Sequence, residues 1–292
     1  MIDDGSTDGS LGVLERFRER GVTVIAQANS GQSAALNRAT TLSKGAYIKF
    51  FDADDLLHPE MVERQMRALA GRTDAVALGE WARFYDKPEE AVFMPLPMYR
   101  NAKPVDWLTS EFLAGEPMMQ CAMFLIPRPI LDRTGGWDER LSLINDFEFF
   151  SRVLSVTGEI VYSPNARLYY RSGLAGSLSR QKTRKAAESA SLSMLQATAH
   201  LIAVEDSART RRACAGILAN FEFEFYPAHP DLRRTIRSRI AELGGSTREP
   251  PGSRAFHVLR RWLGWRAARR VQQLARRLGI SPAAGRSAET GS

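Results

Sequence analysis

Three acidic residues follow a short aromatic run, and their spacing could hold a divalent cation. Asp52, Asp54 and Asp55 stand directly after "YIKFF". Carboxylates so close along the chain repel one another, and two or three oxygen ligands suit Mg²⁺ or Mn²⁺, which keep coordination positions open for phosphate oxygens. A D-x-D triplet alone is often a solvated turn or a helix cap. Here a β-type run precedes it and a helix with Pro59 near its first turn follows, so the pattern favours a metal and phosphate site.

The N-terminal stretch "DDGSTDGSLGVLE" has two interpretations. From Asp4 to Glu15 the letters match the positions of an EF-hand calcium loop. An EF-hand also needs a helix before its loop, and only three residues precede Asp4. The second half of the supposed loop moreover belongs to a predicted helix over residues 9–20. The stretch is therefore predicted to end a strand, with Asp3 and Asp4 at its tip.

The elements that must position these residues alternate between strand and helix patterns. Strands are predicted at 21–26, 46–51, 75–84, 121–126 and 160–171. Helices are predicted at 9–20, 30–45, 58–71 and 144–156. The alternation indicates an α/β fold with a mostly parallel sheet flanked by helices, and ligands bind beyond the carboxyl ends of such strands. The acidic residues at both strand tips are therefore expected in one site.

Composition limits the class of protein. The chain has 292 residues, 44% hydrophobic and 25% charged, which is ordinary for a globular protein with a sizeable core. Cys121 and Cys214 give neither a zinc spacing nor a disulfide framework, so a cytoplasmic location is expected. No apolar run is long enough for a transmembrane helix, and the N-terminus lacks the pattern of a signal peptide.

The positive charge is concentrated in a C-terminal tail. Residues 251–292 contain nine arginines, no lysine and one glutamate, so their net charge is +8 and the first 250 residues sum to −1 within the total of +7. A nucleic-acid partner is therefore not expected. Residues 254–278 predict one amphipathic helix, because apolar residues recur at steps of three and four. The members of this apolar stripe are Phe256, Leu259, Leu263, Ala267, Val271, Leu274 and Leu278. The helix would either pack its apolar stripe on the protein or lie peripherally on an anionic membrane near a lipid-linked acceptor, which Trp262 and Trp265 slightly favour.

Three motifs in this order resemble the family 2 glycosyltransferases of GT-A fold: "DDGSTDGS", "NSGQSAALNRATTLSKGAYIKFFDADD" and "GGWDERLSLINDFEFFSRV". The resemblance runs from Asp3 to about Ser179. It implies a GT-A domain over residues 1–180. The residues that follow show helical patterns and no strand pattern, which predicts a helical extension over 181–247 and a linker with the arginine-rich tail over 248–292.

The resemblance implies a role for each matching residue. Asp3 and Asp4 match the acidic pair that contacts the base and ribose of the nucleotide. Asp52 and Asp54 match the D-x-D that holds Mn²⁺ or Mg²⁺ on the donor diphosphate, where a cation stabilises the charge of the leaving group. Asp146 matches the general base that takes the proton of the acceptor hydroxyl. From the residues alone, Asp146 would be interpreted as a helix N-cap.

The chain departs from the family pattern at three positions. Asn145 stands where Glu is frequent, Leu36 stands where many members have Arg before Asn37, and Ser172 stands where some members have a histidine near the metal. No third protein ligand is therefore assigned. Arg171, which precedes Ser172, is interpreted as part of an ion pair at the surface or at the edge of the core.

Trp137, Asp138 and Glu139 precede the expected base, in a region that faces the acceptor in related enzymes. The alternative interpretation is a turn at the preceding glycines followed by a packed tryptophan. The residues themselves favour neither.

The chain is expected to be truncated at its N-terminus, because family members begin with a further strand and helix and only Met1 and Ile2 precede Asp3.

The predicted function is metal-dependent, inverting transfer from a UDP- or dTDP-sugar to a saccharide or a lipid-linked acceptor, with a bacterial polysaccharide or cell wall as product. The alternative is a catalytically impaired domain that acts as a binding module or persists as an inactive remnant. A nucleotidyltransferase is disfavoured, because its Gly-rich N-terminal loop is absent.

Overall fold

The computed structural model describes residues 1–174 and 183–277, in which strands and helices alternate up to residue 171 and helices alone follow. The strands are β1 Ile2–Asp3, β2 Ile25–Ala26, β3 Tyr47–Ile48, β4 Leu56–Leu57, β5 Ala75–Phe84, β6 Phe124–Pro127 and β7 Glu159–Arg171. The helices are α1 Ser10–Glu15, α2 Gln32–Leu42, α3 Met61–Leu69, α4 Pro104–Ala114, α5 Arg128–Thr134, α6 Asn145–Ser155, α7 Arg184–Val204, α8 Ala208–Phe225, α9 Pro230–Glu242 and α10 Arg254–Arg277. The predicted α/β class with a helical extension is confirmed.

The central sheet is mixed rather than mostly parallel, which corrects the prediction. Its strands lie in the order β3-β6-β5-β7-β4, and β5 and β7 are its parallel pair. β6 runs antiparallel to β3 and β5, and β4 runs antiparallel to β7, while β1 and β2 form a separate parallel pair. β4 was not predicted, and β6 overlaps the strand predicted at 121–126. Both are short strands that follow the irregular segments at 49–55 and 115–123. No crossover helix therefore imposes the parallel direction on them.

β5 has the predicted bounds and forms the buried centre of this sheet. Its register against β7 shifts between Leu78 and Glu80, opposite residues 163–166, which include Pro164. Gly79 lies at that shift, where an added Cβ would come within 2.5 Å of the Ala166 carbonyl oxygen. The close approach of the two backbones therefore requires glycine at this position.

An aromatic cluster holds α6 against the sheet. Trp137 stacks on Phe149 with ring centroids 3.8 Å apart, and Phe50 meets both rings edge-on. Phe124 of β6 stacks on Phe150 of α6 at 4.3 Å. All five side chains are buried, and each contributes about 1.5–3 kcal/mol by leaving water. The first turn of α6 is thereby held beside the chain that follows β3.

Two N-terminal helices are shorter than predicted. α1 ends at Glu15, and a 3₁₀ turn replaces the rest of the predicted helix over 9–20. α2 begins at Gln32 without a side-chain cap, because its N-cap residue is Gly31. The Ser30 hydroxyl donates to the Ala28 carbonyl oxygen at 2.9 Å instead. Residue types suitable for capping were present, but local hydrogen bonds used them differently.

The C-terminal helices form a layer against α6. α7 packs on α6 and α8, and α8 packs on α9 and α4. Glu222 of α8 is buried and pairs with Arg233 and Arg237 of α9 and with Arg266 of α10. This ion cluster ties three helices together. No described helix combines the length and the apolar composition that crossing a bilayer requires.

α10 bends at Gly264, whose φ of 72° and ψ of 158° interrupt the helix. The single apolar stripe predicted for residues 254–278 is therefore wrong. Phe256 and Ala268 are buried, whereas three aliphatic members of the predicted stripe are exposed: Leu263, Val271 and Leu274. Leu278, the last member of the stripe, lies outside the described residues.

Candidate active site

The acidic loop after β3 is organised by one amide from another part of the chain. The Nε2 of Gln120 donates to Oδ2 of Asp52 at 3.1 Å and to Oδ2 of Asp55 at 2.7 Å. Its Oε1 accepts from the Ala122 backbone N–H at 2.6 Å, which aligns the amide. Burial raises the pKa of Asp55 to about 7, and the neighbouring charges of Asp54 and Asp52 add to the increase. Gln120 therefore holds together carboxylates that would otherwise repel each other.

The hydrogen-bond network continues from this loop to α6. Gln32 at the start of α2 donates to Oδ1 of Asp52 at 2.8 Å. Asn145 donates to Oε1 of Gln32 at 3.2 Å and to the hydroxyl of Ser33 at 3.3 Å. Asn145, one of the departures from the family pattern, thus connects the helix that carries Asp146 with the acidic loop.

Asp146 lies half-buried in the first turn of α6. Burial raises its pKa well above the ordinary value, and the charges of Asp52 and Asp55 raise it further. Within residues 1–174 and 183–277 no group donates a hydrogen bond to its carboxylate. The N-cap position is occupied by Ile144 with φ 49° and no side-chain cap, so the capping interpretation is wrong. A carboxylate raised in basicity and left without a partner suits proton abstraction.

Arg171 fastens the acidic loop to the end of β7. Its backbone N–H donates to Oδ1 of Asp55 at 2.8 Å, and its Nε donates to the Asp54 carbonyl oxygen at 2.9 Å. Its guanidinium lies 4.5 Å from the ring centroid of Phe84. Arg171 is therefore a main-chain anchor and not the ion-pair residue that was expected.

The donor set of this loop fits a hard divalent cation that takes few protein ligands. Each oxygen of Asp52 accepts one amide hydrogen bond and keeps a lone pair, and the side chain of Asp54 is exposed. Burial raises the pKa of Asp52, and the charge of Asp54 raises it further, a repulsion that a cation would relieve. No group of three or more metal-binding side chains converges within the described parts of the chain. The remaining ligands would come from phosphate oxygens and water.

The two N-terminal aspartates differ in what they contact. Asp4 accepts from Nε2 of Gln27 at 2.7 Å and from the backbone N–H groups of Ser30 and Gly31 at 2.9 and 2.8 Å. Asp3 is buried, and its Oδ2 accepts from the Ser6 backbone at 3.3 Å. Asp4 therefore orders the loop before α2. Contact of either residue with a nucleotide stays a prediction.

The segment before α6 is tied to its surroundings by all three predicted acceptor-side residues. Trp137 is 3% exposed and stacks in the aromatic cluster, which favours the packing interpretation. Asp138 accepts hydrogen bonds from Arg140, which hold its pKa below the usual range, and from Gln196 of α7 at 3.1 Å. Glu139 is exposed and accepts from the side chain of Asn37 at 2.8 Å. Contact of Asp138 or Glu139 with an acceptor stays a prediction.

Sequence comparison identifies the N-terminal part of the chain. Residues 1–134 match the family described as "Glycosyl transferase family 2". Over these residues the chain is similar to the family 2 glycosyltransferases. An uncharacterised glycosyltransferase of Methanocaldococcus jannaschii is 23% identical over 167 residues, which cover 53% of each chain. An uncharacterised glycosyltransferase of Haemophilus influenzae is 27% identical over 179 residues, which cover 59% of this chain and 66% of the relative. The chain spans about half or less of the length of the first curated relatives it matches.

Structure comparison supports the GT-A fold. S. aureus TarS 1–349 in complex with UDP-GlcNAc superimposes with a TM-score of 0.65, over 97% of this chain and 83% of TarS 1–349, at 15% identity. At this identity the likeness establishes the fold alone. It nevertheless extends across the helical C-terminal part, which lies beyond the family match.

Several residues around the family 2 site carried no sequence signal. Lys49 lies beneath the site, where its Nζ donates to Oε1 of Gln65 at 2.8 Å and burial lowers its pKa to about 7. Burial raises the pKa of the Cys121 thiol, and the charges of Asp146 and Asp52 add to the increase. Gln120 stands in "EPMMQC", a stretch without a recognisable motif. Only the folded chain brings Gln120 and Cys121 to the acidic loop, whereas Lys49 stands three residues before Asp52 in the sequence.

Proposed function

We propose that this protein transfers a sugar from a UDP- or dTDP-activated donor to a saccharide or lipid-linked acceptor, with inversion and with Mn²⁺ or Mg²⁺. The observation that carries the proposal is the connection of the helix of Asp146 to the D-x-D loop: Asn145 donates to Gln32, and Gln32 donates to Asp52. Burial raises the pKa of Asp146, and the charges of Asp52 and Asp55 raise it further. The family match supports glycosyl transfer. The complexes of the TarS structures with UDP-GlcNAc and UDP support a uridine nucleotide.

The proposed mechanism assigns a task to each residue of the network. Asp52 and Asp54 would hold the cation, which when bound stabilises the negative charge of the diphosphate leaving group. Gln32 and Gln120 orient the Asp52 carboxylate. Asp146 takes the proton of the acceptor hydroxyl as its oxygen bonds to the anomeric carbon from the face opposite the diphosphate. The bond from that carbon to the phosphate oxygen breaks with its electron pair on the diphosphate, so the configuration inverts.

We propose a bacterial cell-surface polysaccharide as the product, on the basis of a relative of this domain. A putative teichuronic acid biosynthesis glycosyltransferase of Bacillus subtilis is 33% identical over 78 residues, which cover 26% of this chain and 31% of the relative. Polysaccharide or cell-wall biosynthesis is therefore the proposed context.

Metal removal tests the proposal. The full chain is incubated with UDP- and dTDP-sugars and Mn²⁺, and release of the nucleotide is measured. We expect turnover that is lost with a chelator and restored by excess Mn²⁺, because the two metal-holding carboxylates cannot stabilise the leaving group alone. Turnover that is indifferent to the chelator contradicts the metal assignment.

The second candidate is a domain that binds a partner or nucleotide without turnover. The three internal hydrogen bonds accepted by Asp4 favour it, because they engage a carboxylate assigned to the nucleotide. Calorimetric titration with a panel of nucleotides separates the two. Binding without any donor turnover supports this candidate, and Mn²⁺-dependent turnover excludes it.

A further inference from the structure

α10 is attached to the protein by one of its faces. The ring of Trp265 meets those of Phe223 and Tyr226 edge-on, with centroids 5.2 and 5.1 Å apart. Phe256 and Ala268 are buried. The helix is thus held in a defined orientation, and its remaining surface faces water.

The remaining surface of α10 exposes large apolar side chains. Trp262 is 85% exposed, and Val258 one turn earlier is 58% exposed. Leu263 and Leu274 are also more than half exposed. We define the outward face by its exposed members: Arg254, Val258, Arg261, Trp262, Leu263, Arg270, Val271 and Leu274. Exposed aromatic and aliphatic side chains in this number on one helix indicate an interaction surface.

The outward face carries positive charge without acidic residues. Arg254 and Arg261 lie four and three residues from Val258 and share its side of the helix. The sequence has no Asp or Glu between Glu249 and Glu289. Arginines beside exposed apolar side chains complement an anionic lipid surface, whose phosphates lie above an apolar interior.

Two other occupants fit this surface less well. A second copy would bring two identical faces together, so the arginines of both copies would repel one another. A nucleic acid would satisfy the arginines but would leave the aliphatic side chains without an apolar environment.

We propose that the outward face of α10 docks on an anionic lipid bilayer and holds the catalytic domain at the cytoplasmic surface of a membrane. Trp262, Val258 and Leu263 enter the boundary between headgroups and acyl chains, and Arg254 and Arg261 contact lipid phosphates. The inference is independent of turnover, because it rests on α10 alone.

Vesicle binding of the full chain tests the electrostatic part. The protein is sedimented with vesicles of phosphatidylcholine mixed with phosphatidylglycerol, and with vesicles of phosphatidylcholine alone. We expect binding to the anionic vesicles, weakened by added salt. Arg254→Gln and Arg261→Gln should each weaken it about five-fold. Arg16→Gln, an exposed arginine on α1's C-terminal side, is the matched control and should change nothing.

Tryptophan fluorescence tests the apolar part. The other four tryptophans are packed in the protein to a greater extent than Trp262, so a blue shift on adding anionic vesicles should come from Trp262. Trp262→Phe should keep most of the binding and lose the blue shift. Trp262→Ser should weaken binding roughly ten-fold. Val92→Ser removes a side chain that is 70% exposed elsewhere and should have no effect.

Three results would overturn the proposal. The first is equal binding to neutral and anionic vesicles, or no binding to either. The second is an equal loss of vesicle binding in Arg16→Gln and Arg254→Gln. The third is a blue shift that persists in Trp262→Phe. Self-association of the protein without vesicles that Trp262→Ser abolishes would assign the face to a second copy instead. Thermal unfolding of each variant shows whether it is folded. If Trp262→Ser does not fold, the loss of the blue shift in Trp262→Phe still tests the proposal.

Discussion

At the scale of single residues, the candidate site depends on amides as much as on carboxylates. Gln120 donates to Asp52 and Asp55, and Gln32 donates to Asp52 from the other side. These bonds favour the charged forms of carboxylates whose burial works in the opposite direction. The amides therefore keep Asp52 available to a cation.

Gln120→Ala should destabilise the protein. It removes the only amide that joins Asp52 to Asp55 within the described residues, so Oδ2 of the buried Asp55 loses the donor that Gln120 supplies. We expect the free energy of unfolding to fall by about 1–3 kcal/mol in urea denaturation. Turnover with Mn²⁺ should fall as well, because Asp52 is no longer held. Unchanged stability and turnover would show that Gln120 does not organise the loop.

At the scale of elements, the site depends on how α6 and the β5–β7 pair are held. The aromatic cluster positions one face of α6. Glu148 of α6 forms a hydrogen bond with His200 of α7, which connects the two helices. β5 and β7 approach closely enough at Gly79 to exclude a side chain. Substitutions in the aromatic cluster or at Gly79 should lower the stability of the folded protein and affect the site only indirectly.

Gly79→Ala should destabilise the sheet. Its Cβ would lie 2.5 Å from the Ala166 carbonyl oxygen and 2.8 Å from Cε of Met61, and the backbone oxygen cannot easily move. We expect a loss of about 1–3 kcal/mol in the free energy of unfolding, measured in urea. Gly12→Ala in α1 is the matched control, since its Cβ would meet no atom within 4 Å and should stabilise the helix by about 0.5–1 kcal/mol. Equal effects of the two substitutions would contradict the close approach.

The contact between α6 and α7 should weaken in acid. Burial works to raise the pKa of Glu148, but hydrogen bonds from His200 and Arg152 outweigh it and leave the pKa below 4.5. A lowered pKa in the folded state gives stability that is present above the pKa of the unfolded chain and is lost as pH falls through the folded pKa. Glu148→Gln should therefore be less stable than wild type near neutral pH, by about 1–3 kcal/mol, and the gap should narrow below pH 4.5. A gap that is constant across this range would contradict the interpretation.

At the scale of the whole molecule, the sequence predicted the order of elements better than their pairing. β5 and α6 were predicted closely, because β5 is a nearly continuous apolar run and α6 has apolar residues at helical spacing. β4 was not predicted and the direction of β6 was predicted wrongly, because two- and four-residue strands that follow loops leave no periodic signal. Asp52, Asp54 and Asp146 were predicted from ordered motifs, whereas Gln120 is brought to the site by long-range contacts. The bend at Gly264 likewise divided a stripe that periodicity treated as continuous.

The central claim is that Asp146 is the general base of an inverting, metal-dependent glycosyltransferase. The most direct measurement compares donor turnover and nucleotide binding in wild type, Asp146→Asn and Asp132→Asn, which changes an exposed carboxylate on α5. We expect Asp146→Asn to lower kcat by about 10²–10⁴-fold with nucleotide affinity unchanged, and Asp132→Asn to match wild type. Full turnover by Asp146→Asn would contradict the account.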